Sequence, residues 1–259
     1  MIMTKTARII VKSMFALMVL VVATVYALPC QASLKEKEYL EAVQHYNNGD
    51  YRNAAALFEN IAGEKVVNGK LYYNAGNAFY KSGNIGRSIL WYERALKLIP
   101  GDPDLIFNYN FVNGLVMDKA EDKTNPLINV MFFWKKKLAH RTLTFLAVSF
   151  FLLFVILYLI RIIKPVNVLK YPERVFLGLA LVFILSSYHD YYEKQFNGKA
   201  VVLSDSVSVR SGLSDDSTEL FRLHEGTKVS VDERLRGYVK IRFSDDKIGW
   251  VKINDIEII

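Results

Sequence analysis

The residue types that most often carry catalysis or bind metal ions are scattered along this chain. The four histidines, His45, His140, His189 and His224, lie in four different segments, without the spacing of a metal site. Cys30 is the one cysteine, which excludes an internal disulfide framework and a cysteine-based zinc site. The sequence contains no phosphate-binding glycine loop, nucleophile elbow or paired-carboxylate constellation. It therefore predicts a protein that is not an enzyme, with no catalytic residues, no cofactor and no bound metal.

The excess of basic residues in the chain lies beside its hydrophobic segments. The 259 residues are 52% apolar and carry a net charge of +7. Residues 127–197 hold nine basic and three acidic side chains, whereas residues 33–126 hold 11 and 12, and residues 198–259 hold 10 and 11. Basic side chains beside apolar segments set the topology of membrane proteins. This distribution argues against nucleic acid as a partner and indicates contact with a lipid bilayer.

In the first half of the chain, similar residues recur at an interval of 34. The repeated segment must position any side chains that bind a ligand there. The matching positions are Asn48-Gly49-Asp50-Tyr51 with Ser82-Gly83-Asn84-Ile85, and Ala54, Phe58 and Ile61 with Ser88, Tyr92 and Ala95. Such a period is typical of repeats in which each unit is a pair of antiparallel helices. The second unit ends at Pro100, which cannot continue a helix. We predict repeats over residues 35–68 and 69–102 and one capping helix, within a domain at 33–118.

The second unit resembles tetratricopeptide repeats, with Tyr72, Gly76, Phe79, Gly83, Tyr92, Ala95 and Pro100 at the positions of that family's pattern. The resemblance implies a peptide-binding groove lined by the first helix of each repeat. The residues that it places in the groove are Tyr39, Val43 and Tyr46, then Tyr73, Asn74, Asn77, Tyr80 and Lys81, then Phe107, Asn108 and Phe111 from the capping helix. Asparagine amides can pair with a partner's backbone, and tyrosine rings offer apolar area with a polar tip. The alternative is that these aromatic side chains pack between the repeats.

The N-terminal residues have the composition of a secretory signal. Lys5, Arg8 and Lys12 precede an apolar run at residues 14–27, which is short for a membrane span. Small residues before Ser33 allow cleavage there, so we predict a signal peptide over residues 1–32. An uncleaved signal anchor, or a lipoprotein acylated at Cys30, are the alternatives.

Two further apolar stretches follow a linker and interfacial segment at 119–141. The first, residues 142–163, has 22 residues and would be about 33 Å long as a helix, which crosses a bilayer core of roughly 30 Å. The second, at 175–191, is shorter and either crosses or lies on the surface. The basic residues of the turn at 164–174 favour a cytoplasmic location. We predict a two-helix transmembrane hairpin that returns the chain to the outer compartment.

Residues 198–259 change to the alternating pattern of β-strands. Pairs such as Val207 and Val209, or Val239 and Ile241, are separated by polar turns and predict a small antiparallel barrel or sandwich. Together with Glu225-Gly226-Thr227-Lys228-Val229 and Gly249-Trp250-Val251, they resemble bacterial SH3-type domains. The resemblance implies five or six strands, in a domain that contacts the cell wall or other proteins. Arg210 and Tyr238 are the candidate surface residues.

The order of these segments resembles the E-type proteins of Bat (Bacteroides aerotolerance) operons. The residues that carry the resemblance are Tyr73-Asn74-Ala75-Gly76-Asn77-Ala78-Phe79-Tyr80, the helix Trp91-Tyr92-Glu93-Arg94-Ala95-Leu96, and Asn108-Tyr109-Asn110. The family implies a non-enzymatic scaffold of the bacterial inner membrane, with both domains in the periplasm. Its partners would be other membrane proteins, including von Willebrand A-domain proteins of the same operon type. The alternative is a membrane-anchored protein that binds peptidoglycan through its SH3-type domain.

Overall fold

The computed structural model describes residues 36–64, 66–119, 133–163, 167–196 and 198–259. The predicted signal peptide and most of the predicted linker lie outside the described residues. The chain divides into two compact units. Of the described residues, those within Lys35–Leu143 and Ser186–Ile259 form the repeat–sheet unit, and those within Thr144–Leu185 form the hairpin unit.

Five described helices form the first part of the repeat–sheet unit. They are α1 (Glu36–Asn47), α2 (Tyr51–Gly63), α3 (Gly69–Lys81), α4 (Ile85–Leu98) and α5 (Pro103–Leu115). Helices α2 to α5 each follow a residue whose side-chain oxygen accepts a hydrogen bond from the first turn: Asp50, Asn68, Asn84 and Asp102. Such caps satisfy backbone N–H groups that have no partner inside the helix. These capping residues mark in the sequence where α2 to α5 begin.

Helices pair because small residues of one face large residues of the next. A Cβ on Gly76 of α3 would lie 2.5 Å from the ring of Tyr92 in α4, so only glycine allows this approach. Gly49 and Gly83 have φ angles of 82° and 89° in the turns of the two repeats, a conformation that favours glycine. These turns are 34 residues apart, as the sequence predicts.

Seven described strands form one antiparallel sheet in the second part of this unit. They are β1 (Gly198–Val202), β2 (Ser206–Arg210), β3 (Glu219–His224), β4 (Lys228–Leu235), β5 (Tyr238–Ser244), β6 (Lys247–Lys252) and β7 (Ile256–Ile258). Their order is β3-β2-β6-β5-β4-β1-β7. The expectation of five or six strands is corrected to seven in the described residues, because β7 pairs with the free side of β1.

The alternating residues of β2 and β5 belong to the core of the sheet. Val207, Val209, Val239 and Ile241 are all buried. Strand β1 departs from alternation, since Ala200, Val201 and Val202 are buried in succession. A strand that is covered on both faces shows such a continuous apolar run. The predicted fold class of helical repeats followed by a small all-β domain is confirmed.

Two long helices lie between these parts in the sequence: α6 (His140–Ile163) and α7 (Lys170–Phe196). Helix α7 begins before and ends after the predicted span of 175–191. Pro172 does not prevent the early start, because proline is tolerated in the first turn of a helix. In the hairpin unit, Phe150 stacks on Phe176 and Phe183, with ring centroids 6.1 and 5.6 Å apart.

An ion pair joins α6 and α7 within the hairpin unit. The distance between Arg161 Nε and Glu173 Oε2 is 2.6 Å. Within the described residues, α6 is the one helix that is long and apolar enough to cross a membrane. The crossing of α7 stays a prediction.

Candidate functional site

The first helices of the repeats are joined by a hydrogen bond that recurs at the repeat period. Asn74 Nδ2 donates to Tyr39 Oη at 2.7 Å, linking α3 to α1. Asn108 Nδ2 donates to Tyr73 Oη at 2.9 Å, linking α5 to α3. The tyrosines are 34 residues apart and so are the asparagines. We call this arrangement the Tyr–Asn ladder.

Both ends of the Tyr–Asn ladder carry apolar residues. Leu40 occupies the position of Asn74 one repeat earlier, and Phe107 occupies the position of Tyr73 one repeat later. These side chains are 59% and 72% exposed. In the part of the chain that the structure describes, no repeat helix precedes α1 or follows α5, so a polar group at either position would have no ladder partner there. The ladder therefore ends with α1 and α5, as expected of a capped stack.

Asn77 also has partners inside the repeat domain. Its Oδ1 accepts hydrogen bonds from Tyr92 Oη at 2.6 Å and from Asn108 Nδ2 at 3.0 Å. Burial raises the pKa of the Tyr92 hydroxyl well above its ordinary value. Of the predicted groove residues, Tyr39, Tyr73, Asn74, Asn77 and Asn108 thus bind one another or a neighbouring helix. The recurrence of a Tyr–Asn pair at 34 residues is the sequence signal that could have revealed this.

The remaining predicted groove residues fall into two groups. Val43 and Tyr46 are partly buried and pack against the core that lies mainly between α1, α2 and α3. Tyr80 meets Phe111 edge to face, with ring centroids 5.8 Å apart, and Lys81 Nζ lies 6.0 Å from the Tyr80 ring centroid.

Phe111 is 52% exposed, one helical turn from the exposed Phe107. We call Tyr80, Lys81, Phe107 and Phe111 the cap-end patch. It is the part of the predicted groove that leaves large aromatic area uncovered.

The two residues predicted on the surface of the sheet do come together. Arg210 and Tyr238 line a cavity of about 210 Å³ with Asp215, Trp250 and Lys252, which we call the sheet cavity. Lys252 Nζ donates to Asp215 Oδ2 at 2.8 Å, and Tyr238 Oη donates to Oδ1 at 3.3 Å. The hydrogen bond from Lys252 holds the pKa of Asp215 below its ordinary value. Aromatic rings beside charged groups suit a polar ligand such as a peptide or a glycan.

Comparison with known protein families agrees with this geometry. A model of the tetratricopeptide repeat matches residues 69–102, which are α3, α4 and their turns. A model of the bacterial SH3 domain matches residues 205–255, from the start of β2 to the end of β6 and beyond. The chain contains a tetratricopeptide repeat and a bacterial SH3 domain. A search of curated proteins found no match.

Sequence reasoning missed an interface between the repeat domain and the SH3 domain. Lys228 Nζ, on β4, donates to Glu93 Oε1 at 2.9 Å and to Tyr109 Oη at 2.6 Å. The Tyr109 hydroxyl in turn donates to Glu93 Oε1 at 2.6 Å. Desolvation lowers the pKa of Lys228, but its electrostatic interactions and hydrogen bonds with Glu93 and Tyr109 together outweigh that effect, so this pKa lies above its ordinary value. Burial, assisted by Glu93, raises the pKa of Tyr109. The three groups form a compact, internally compensated charge cluster.

Asp118, just after α5, makes a second polar contact with the SH3 domain. Its Oδ2 accepts from the His224 backbone N–H at 2.6 Å and from Thr227 Oγ1 at 2.9 Å. Burial alone would raise the pKa of Asp118, but these hydrogen bonds lower it below its ordinary value. Asp118 therefore fixes the turn between β3 and β4 to the end of the repeat domain.

Apolar packing joins the same two domains. Ile89, Val112 and Val116 of the repeat domain form one buried cluster with Val201 of β1. This explains the continuous apolar run in β1, because one of its faces covers the sheet core and the other covers α4. Within the described ranges, no group of three or more histidine, cysteine or acidic residues could hold a metal ion.

Proposed function

We propose that this protein is a non-enzymatic membrane scaffold that binds protein partners through its repeat domain. The tetratricopeptide repeat supports a protein–protein interaction. The observation that carries the proposal is the cap-end patch, where Phe107 and Phe111 are 72% and 52% exposed. Exposed aromatic residues in a cluster mark interaction sites on soluble domains, and aromatic anchors dominate binding energy.

Membrane anchoring is supported by the surface of α6. Only 11% of its most apolar stretch is buried, whereas the core helix of a soluble protein would be mostly buried. Phe151, Leu153 and Ile160 are among its exposed apolar side chains. Contact of these apolar side chains with lipid has no free-energy cost, whereas their exposure to water is unfavourable.

The interface between the two domains supports a second crossing by α7. Contacts such as that of Lys228 with Glu93 require both domains to lie in one compartment. The chain must then cross the membrane an even number of times between them. Helix α7 has 27 residues and would be about 40 Å long, which is sufficient to cross. With the predicted signal peptide, two crossings support the proposal that both domains lie in the periplasm, on the outer face of the inner membrane.

The partner class that we propose comes from the resemblance to E-type proteins of Bat operons. It consists of membrane proteins with von Willebrand A domains, assembled in a complex for aerotolerance. Because Tyr73 and Asn77 belong to the internal hydrogen-bond network, their substitution would disturb the fold. The informative variant is the double substitution Phe107→Ser and Phe111→Ser.

Co-purification of the detergent-solubilised chain with co-expressed von Willebrand A-domain proteins tests this proposal. The double variant should lose the partner, because two apolar anchors are removed. A matched control, Leu235→Ser, changes a side chain that is 42% exposed in the SH3 domain and should retain it. Equal recovery of the partner with both variants would contradict a role for the cap-end patch.

A second candidate function is peptidoglycan binding through the sheet cavity. The bacterial SH3 domain supports contact with the cell wall, and the cavity brings Arg210, Tyr238 and Trp250 together. Sedimentation of the purified chain with isolated sacculi tests it. Tyr238→Leu should reduce the sedimented fraction several-fold, while the Phe107→Ser and Phe111→Ser variant should not. Absence of binding by the unmodified chain would exclude this function.

A further inference from the structure

A second, larger cavity lies where the repeat domain meets the SH3 domain. It has a volume of about 420 Å³, and we call it the junction cavity. Val116 and Lys119 come from the end of the repeat domain, and Lys199, Lys228 and Arg242 come from β1, β4 and β5. Ligand sites typically measure about 300 to 1,000 Å³ and often occur at domain interfaces. The junction cavity therefore has the size and the location of a binding site.

The basic side chains of the junction cavity differ in whether an acidic side chain neutralises their charge. Lys228 pairs with Glu93, and Arg242 pairs with Asp232. Lys119 and Lys199 are exposed and take part in no ion pair within the described ranges.

Asp118 is the one acidic residue among those that line the cavity. Its carboxylate is already occupied by His224 and Thr227. The cavity thus offers two lysine ammonium groups, from two different domains, to an incoming anion.

The other lining residues indicate which kind of anion fits. Val116, Val229 and Phe243 provide apolar surface between the charged groups, and Ser230 adds a hydroxyl. A compact phosphate would favour a fork of arginine donors or a ring of backbone N–H groups. Two separate lysines over an apolar surface suit carboxylates that are spaced along a carbon-rich chain.

We propose that the junction cavity binds an acidic peptide segment of a partner protein, with one carboxylate on Lys119 and another on Lys199. This site is separate from the cap-end patch and from the sheet cavity, so it does not depend on the function proposed for either. Because its walls come from both domains, it exists only while the SH3 domain is docked on the repeat domain.

Fluorescence anisotropy of the full chain in detergent tests the proposal. The probe is a dye-labelled tetraglutamate peptide, and tetraglutamine with the same dye is the neutral control. The unmodified chain should bind tetraglutamate more tightly, and salt should weaken the binding, as expected of exposed charges. Equal binding of the two peptides, or no binding of tetraglutamate, would overturn the proposal.

Two variants with opposite expected effects locate the site. Lys119→Gln with Lys199→Gln should weaken tetraglutamate binding about fivefold, as the loss of two exposed ion pairs implies. The control Lys252→Gln removes a lysine of the sheet cavity and should leave binding unchanged.

Asp232→Asn should strengthen binding, because it releases Arg242 from its ion pair. A misfolded variant could not produce this gain. Unchanged affinity in both the double lysine variant and Asp232→Asn would overturn the assignment. Displacement of tetraglutamate by equimolar inorganic phosphate would show that the cavity selects free anions instead of peptides, which also overturns it.

Discussion

Replacement of Gly86 by alanine tests whether the repeat domain and the SH3 domain share one packed interface. Gly86 lies in the first turn of α4, and its backbone N–H donates to Glu225 Oε2 at 3.1 Å. A Cβ at this position would lie 2.9 Å from the carbonyl oxygen of Val202 and 3.2 Å from Leu203 Cα. Both are backbone atoms, so no side-chain rotation can relieve the contact. The helix and the strand must move apart.

The expected effect on docking combines two contributions. The preference of alanine for helix, about 1 kcal/mol relative to glycine, is not one of them, because it acts on α4 whether or not the SH3 domain is docked. Overpacking at a close contact costs about 1 to 3 kcal/mol, and a hydrogen bond to a charged group contributes about 1.5 to 3 kcal/mol. With the hydrogen bond weakened but not abolished, docking should be destabilised by about 2 kcal/mol. This corresponds to a roughly 30-fold larger population of the open interface.

Amide hydrogen exchange of the full chain in detergent measures this population. Exchange should accelerate in β1 and in the turn between β3 and β4 of the Gly86→Ala variant. Gly114→Ala is the matched control, because Gly114 lies in α5 and a Cβ there meets nothing within 4 Å. The control gains the same helix preference without the clash and should not exchange faster. Equal exchange of the two variants in these segments would refute a packed interface.

Two further substitutions test the helix packing inside the repeat and the polar contact of Asp118 with the SH3 domain. Gly76→Ala should lower the free energy of unfolding by about 1 to 3 kcal/mol, because a Cβ would meet the Tyr92 ring at 2.5 Å. Thermal unfolding followed by circular dichroism measures this change. An unchanged melting temperature would contradict the close packing. Asp118→Asn weakens the acceptor of His224 and Thr227. Since the folded pKa of Asp118 is lowered, its stabilisation is fully present above the unfolded pKa of about 4 and is lost as pH falls through the folded pKa. The melting difference between the unmodified chain and Asp118→Asn should therefore shrink below about pH 4, and a difference that is constant with pH would contradict this assignment.

The sequence predicts those features that depend on neighbouring residues. Gly49 and Gly83 recur at the repeat period, and each helix pair is held by contacts within one repeat. Alternating residues in β2 and β5 likewise report which face of each strand is buried. These signals lie within short stretches of chain, so they reveal the repeats and the sheet without knowledge of the other domain.

The interface between the domains leaves no comparable pattern. Lys228 and Glu93 are 135 residues apart, and neither lies in a sequence motif from which the other could be predicted as its partner. The Tyr–Asn ladder is a different case, because its period is visible in the sequence. The side chains of tyrosine and asparagine bind a neighbouring helix by the same hydrogen bonds that would bind a peptide. Residue type alone therefore led to the prediction of ligand contact. The geometry instead shows that the ladder residues bind one another.

The docked SH3 domain changes how a partner with two binding segments would be held. When two modules are joined by a flexible linker, the second binding event depends on the length of that linker. Here Ile89, Val116 and Val201 are buried together, so the separation of the cap-end patch from the sheet cavity is fixed by packing. A partner whose two segments match this separation gains avidity without ordering a linker, and one whose segments do not match gains none. The Gly86→Ala variant, which loosens the interface, should therefore weaken a partner that contacts both domains more than one that contacts the cap-end patch alone.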